Sequence, residues 1–162
     1  MMKVAFLDRD GVINNDSGYV HKIEDFSFVD GCVAALTLLQ QKGFALIIVT
    51  NQSGIGRGYY TEQDYQQLTQ WYVSELSRQG VNITDVFHCP HAPEDECDCR
   101  KPKAGLFLQA ASQHDIDFSA SMMVGDKTSD IDAATAVGIP HTYLLQENGR
   151  YTRLLDCAQH IT

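Results

Sequence analysis

The sequence predicts a doubly wound α/β fold, an open and mostly parallel sheet with helices on both faces. Three observations predict it. Short apolar runs alternate with stretches of helical periodicity along the chain. The runs are continuous rather than alternating, the pattern of strands covered on both faces. Several of them also stop abruptly at polar residues, the first at Asp8 and Asp10, the second at Thr50 and Asn51, a later one at Asp126. In open parallel sheets, ligands sit beyond the carboxyl ends of the strands, near the switch in strand order. Three strand ends carrying reactive groups therefore mark one site.

The first run, Val4-Ala5-Phe6-Leu7, leads into Asp8-Arg9-Asp10-Gly11. Side chains on an extended chain alternate, so Asp8 and Asp10 project the same way and Arg9 points elsewhere. Two carboxylates so close repel unless a cation lies between them or one holds a proton, which leaves open a polar turn or a catalytic pair. The polar, turn-rich segment from Asn15 to about Val29 is too long for a mere connector and is expected to cover a site. Val33, Leu36, Leu38 and Leu39 recur at helical spacing before Gly43, a C-terminal cap. Phe44 to Val49 is a second strand, followed by a flexible, locally basic run, Gly54-Ile55-Gly56-Arg57-Gly58. Thr61 with Asp64 predicts a capping box for a helix reaching about Gln79, with Tyr65, Leu68, Tyr72 and Leu76 facing the core. Strands follow at Ile83 to Cys89, Met122 to Val124 and His141 to Leu145. Helices are predicted from Leu106 to His114, from Asp130 to Val137 and near Tyr151 to Ala158.

With 162 residues, 44% of them apolar, the chain suits one domain, 1–162, with a real core. No apolar run is long enough to span a membrane, and the Met-Met-Lys start lacks the apolar core of a signal peptide, so a cytoplasmic location is expected. A net charge of -9 argues against nucleic-acid binding. It also means that an anionic substrate must be attracted by local cations.

Asp8, Asp10 and Asp126 supply hard oxygen ligands, which suit magnesium. Aspartate can also attack phosphorus covalently. Phosphoryl transfer asks mainly for positioning and for neutralisation of spread charge. The chain offers for this the Thr50 hydroxyl, the backbone amides of Asn51 to Ser53, and cations at Arg100, Lys101 and Lys127. Asp130, one turn past Asp126, could bear on the metal, orient a lysine or simply favour the helix dipole. Separately, Cys89, His91, Cys97 and Cys99 place three thiols and an imidazole within eleven residues. That set fits a closed, structural zinc site better than a redox pair. Arg100 and Lys101 follow directly, so zinc would aim them. His88 is expected to have no chemical role, and Cys32 and Cys157 to be structural thiols.

These motifs resemble the haloacid dehalogenase superfamily of phosphatases: Asp8-Arg9-Asp10-Gly11, Thr50-Asn51, Arg100-Lys101-Pro102 and Gly125-Asp126-Lys127-Thr128-Ser129-Asp130, in that order. The resemblance implies a Rossmann-like sheet of about five or six strands without a cap domain. It implies that Asp8 is the nucleophile that becomes an aspartyl phosphate and that Asp10 is the acid and then the base. Magnesium would be held by Asp8, the Asp10 carbonyl and Asp126, with Lys101 and Thr50 also in the catalytic set. The zinc loop, at 89–99, narrows the resemblance to the subgroup of heptose bisphosphate phosphatases and histidinol-phosphatases. Gly18 to His21 and Asn51 to Gly58 are similar to the heptose enzymes, whereas a histidinol-phosphatase would carry an acidic residue where Ser53 stands. That subgroup implies a small phosphorylated sugar as substrate, a place in making lipopolysaccharide core precursors, and a monomer. Its substrate contacts would be Asp16, Ser17, Gly18, Tyr19, Thr50, Asn51, Gln52, Ser53, Arg100, Lys101 and Lys127.

Overall fold

The computed structural model describes residues 1–161. Strands β1 (Val4–Leu7), β2 (Ala45–Asn51), β3 (Ile83–Cys89), β4 (Met122–Gly125) and β5 (His141–Leu144) form one sheet in the order β3-β2-β1-β4-β5, every pair parallel. The helices are α1 (Cys32–Gln41), α2 (Ser53–Gly56), α3 (Glu62–Arg78), α4 (Gly105–Gln113), α5 (Thr128–Ala136) and α6 (Leu154–His160). The apolar runs of β1, β2 and β4 become strands covered on both sides, whereas β3 and β5 at the sheet edges are only partly buried. Ala5, Leu7, Leu46, Ile48 and Val124 pack against α1, α3 and α6 through Leu36, Leu39, Leu68, Tyr72 and Leu154. Their neighbours Val4, Phe6, Ile47, Val49 and Met123 pack the other way, onto Leu106, Phe107, Ala110, Ala133 and Ala134 of α4 and α5. No helix among the described residues is long and apolar enough to cross a membrane.

The order of strands fixes where a ligand can go. From β1 the chain winds outward through β2 to β3, then returns to β4 on the other side of β1. The switch therefore lies between β1 and β4, whose carboxyl ends carry Asp8 and Asp126. The predicted capping box is present: Asp64 N–H donates to Thr61 Oγ1 at 3.0 Å and Thr61 N–H to Asp64 Oδ2 at 2.9 Å. Two elements differ from expectation. Residues 53–56 form a helical turn rather than a flexible loop, because Arg57 N–H closes onto the Ser53 carbonyl (2.9 Å) and Gly56 N–H onto Pro90 (2.8 Å). Helix α5 starts two residues before Asp130, whose carboxylate accepts the Lys127 N–H at 3.2 Å and so caps the helix from inside its first turn.

Candidate active site

The sheet ladder runs one residue past β1, with Asp8 N–H donating to the Val124 carbonyl (3.1 Å), and this fixes Asp8 at the switch. Lys101 reaches it from the segment after β3. Its ammonium is 3.0 Å from Asp8 Oδ1 and 2.5 Å from Asp130 Oδ1, and it donates to the Val49 carbonyl at 2.8 Å. All three donors of a buried cation are thereby used. Burial alone would lower the Lys101 pKa; Asp8 and Asp130 more than offset this and hold it above the ordinary range. Burial pushes the Asp8 carboxyl up to about 7, with Lys101 opposing the rise and Asp130, Asp10 and Asp126 adding repulsion. Two of the roles open to Asp130 are met together: it both caps α5 and holds a lysine.

Asp8, Asp126 and Asp130 each offer a carboxylate oxygen, all within 4.8 Å of one another. Asp126 Oδ1 is buried without a hydrogen-bond partner among the described residues. Burial, then repulsion from Asp130, raises the Asp126 pKa. Three crowded carboxylates facing one ammonium, with an orphaned oxygen, fit a hard divalent cation. Gly11 is required for this packing. Its φ is +86°, and a β-carbon there would lie 2.2 Å from Asp126 Oδ2.

Asp10 faces other partners. Its Oδ1 accepts Arg9 Nη2 (2.6 Å), Arg9 Nε (3.1 Å) and Asn14 Nδ2 (3.1 Å), while Oδ2 accepts Gln52 Nε2 (3.1 Å). Arg9 does not simply point away, as strand alternation suggests. Its long side chain, 1% exposed, bends back to Asp10 and donates onward to the Val20 carbonyl (2.7 Å).

A cavity of about 490 Å³ opens above these groups. Asp16, Gly18, Tyr19, Asn51, Gln52, Ser53, Arg100, Lys101 and Lys127 line it. Thr50 is buried beneath and accepts Gln52 Nε2 at 3.0 Å, and Ser17 is exposed outside the wall. Asn51 turns its carboxamide to the backbone of Lys101, accepting its N–H (3.0 Å) and donating to its carbonyl (3.2 Å). It thus pins the basic motif to the end of β2. Arg57, Tyr60, Pro102 and Ser129 also line the cavity. Arg57 was signalled by the basic character of its glycine-rich run and by the resemblance of Asn51 to Gly58 to the heptose enzymes, and Tyr60 by nothing periodic at all.

Cys89, His91, Cys97 and Cys99 converge, their ligand atoms within 4.8 Å of one another. Cys89 Sγ lies 3.4 Å from His91 Nδ1 and 3.5 Å from Cys97 Sγ, and His91 Nδ1 is 3.3 Å from Cys99 Sγ. Three sulfurs and one nitrogen around a common centre are a donor set that fits zinc. Cys32 and Cys157 lie elsewhere, buried, their thiols pushed up to about 12 by burial. His88 stacks on Tyr65 and sits 2.8 Å from Glu62, away from the cavity.

A carboxylate–lysine–carboxylate cluster at the switch of a parallel sheet, beneath an open cavity rimmed with cations, defines a phosphoryl-transferring hydrolase. Residues 98–160 match the HAD-hydrolase-like family model. The D-glycero-alpha-D-manno-heptose-1,7-bisphosphate 7-phosphatase of Photorhabdus laumondii is 49% identical over 152 residues, 90% of this chain and 83% of the relative. The beta-anomer 7-phosphatase of Haemophilus ducreyi is 50% identical over 151 residues, 89% of this chain and 83% of that one. Among solved structures, D,D-heptose 1,7-bisphosphate phosphatase from B. bronchiseptica, complexed with magnesium and phosphate, superposes with a TM-score of 0.88 at 30% identity, covering 98% of this chain and 97% of that one. The chain belongs to this family of HAD-like phosphatases.

Proposed function

We propose that the chain removes the C7 phosphate of D-glycero-D-manno-heptose 1,7-bisphosphate, as a cytoplasmic monomer supplying precursors of lipopolysaccharide core. The observation that carries this is the Asp8–Lys101–Asp130 cluster opening into a cavity where Arg57, Arg100 and Lys127 wait at the rim. A bisphosphate needs cations at two depths, and Arg100 supplies bidentate geometry for the second phosphate. The relatives named above support the sugar.

In this reading Asp8 attacks phosphorus, forming an aspartyl phosphate as the bond to the C7 oxygen breaks. Asp10 gives that oxygen its proton, then takes one from the water that attacks the intermediate and releases phosphate. Lys101 steadies Asp8 and the phosphoryl oxygens. Thr50 lies beneath the amides of Asn51 to Ser53, which hold the phosphate. Magnesium, held by Asp8, Asp126 and the Asp10 carbonyl, would supply charge neutralisation for the phosphoryl oxygens. Zinc on Cys89, His91, Cys97 and Cys99 would be structural, fixing the loop that aims Arg100 and Lys101.

The test compares phosphate release from both anomers of the heptose bisphosphate with release from histidinol phosphate, with and without magnesium. Magnesium-dependent release from a heptose bisphosphate is expected to dominate. Preferential turnover of histidinol phosphate would replace the sugar in this reading and leave the chemistry standing.

A further inference from the structure

We propose that Tyr60 is a positioning residue for proton transfer by Asp10, acting through the Gln52 carboxamide; the inference rests on the acid/base role given to Asp10 above. Arg9 and Asn14 hold Asp10 Oδ1, so Oδ2 is the oxygen left to work, and Gln52 Nε2 is its hydrogen-bond partner in the structure. Ionised, or holding a proton aimed at the leaving group, Oδ2 can only accept from Gln52, so the amide turns its NH2 toward Asp10 and its oxygen the other way. That oxygen receives the Tyr60 hydroxyl at 2.5 Å. Burial pushes the Tyr60 pKa up to about 12, so the group stays a donor. Gln52 and Tyr60 are only 2% and 6% exposed. An amide oxygen deprived of the hydroxyl would lose its hydrogen-bond partner in the structure.

The tyrosine ring is itself fixed. His21 stacks on it at 4.7 Å with an interplanar angle of 7°, and Gly54 lies so close that a β-carbon would come within 2.1 Å of its Cε1. Without the hydroxyl, the oxygen end of Gln52 loses its donor, and the bonds from Nε2 to Asp10 and Thr50 Oγ1 are left to orient the amide. The flipped amide would set its oxygen against Oδ2, repelling it when ionised and capturing its proton when protonated, and either way the proton is drawn off its path to the leaving group. In the step affected, the proton on Asp10 Oδ2 passes to the departing C7 oxygen as its bond to phosphorus breaks.

The magnesium- and zinc-loaded Tyr60→Phe enzyme tests this in the steady state with the heptose bisphosphate and in the first turnover with p-nitrophenyl phosphate, whose leaving group departs as an anion without needing a proton. For the sugar phosphate, kcat is expected to fall about tenfold with KM nearly unchanged, while first-turnover release of p-nitrophenolate keeps its rate. Equal losses on both substrates, a rise in KM alone, or no change would each overturn it. Tyr60→Met, which also removes the hydroxyl, is expected to reproduce the selective loss and serves if Tyr60→Phe does not fold; a nonselective loss there overturns the inference as well. A wild-type enzyme inactive on both substrates removes the functional reading and the inference together. An active wild type with an equally active Tyr60→Phe variant removes the inference alone.

Discussion

Asp8 and Asp10 stand two residues apart, yet each has its own cation: Lys101 bridges Asp8 to Asp130, and Arg9 grips Asp10. Strand alternation made the two carboxylates legible as a pair but could not show this division. It depends on one side chain long enough to curl back and on another arriving from residue 101. The charge balance is testable. Lys101→Met leaves two buried carboxylates facing each other and should cost about 3 kcal/mol in thermal unfolding, along with most of the turnover. The pH dependence follows from Asp8. In magnesium-free protein its folded pKa, about 7, exceeds the unfolded value of 3.8, so the folded state holds the proton more tightly. The stability this gives is present below pH 3.8 and is lost as pH rises through 7. Neutral Asp8→Asn should therefore melt progressively higher than wild type as magnesium-free buffer is taken from pH 5 to pH 8, while its turnover is abolished at every pH. A melting difference that stays flat with pH would contradict the buried-carboxylate account.

At the scale of elements, the sequence made strands and long helices visible because their apolar spacing is imposed by burial on both faces of the sheet. The short helix α2 was not visible: four residues with two glycines have little helix propensity, and the turn exists because the loop after β3 receives its N–H groups. Gln52 N–H donates to the Cys89 carbonyl (2.8 Å) and Gly56 N–H to Pro90 (2.8 Å), so the cysteine loop and α2 brace each other. That explains why Arg57 and Tyr60, which follow α2, belong to the cavity although no motif marked Tyr60. Cys97→Ser should lower bound zinc below one per chain and raise KM for the sugar phosphate, as read by metal analysis and kinetics. Zinc that stays stoichiometric would remove Cys97 from the ligand set. Gly54→Ala should act from the other side of the same brace, driving a methyl into the Tyr60 ring. It should cost about 1–3 kcal/mol in stability and reduce kcat.

For the molecule as a whole, the topology places chemistry and charge in opposition. Winding outward from β1 in both directions brings the ends of β1, β2 and β4 to one edge, and that is why reactive residues at separate strand ends were enough to foresee a single site. The chain as a whole carries a net charge of -9, yet Arg57, Arg100, Lys101 and Lys127 all line the same cavity. A doubly phosphorylated substrate is repelled at long range and attracted only at close quarters. Salt acts differently on the two: near physiological ionic strength, fields beyond about 8 Å are screened, whereas contacts inside a partly enclosed cavity lose much less. With magnesium saturating, kcat/KM for the bisphosphate should hold steady or rise as a noncompeting salt is raised from low to physiological ionic strength. An enzyme that steers its substrate by its overall field would lose several-fold over the same range. Such a loss, measured here, would mean that the cations at the rim project beyond the cavity and dominate the approach despite the net negative charge.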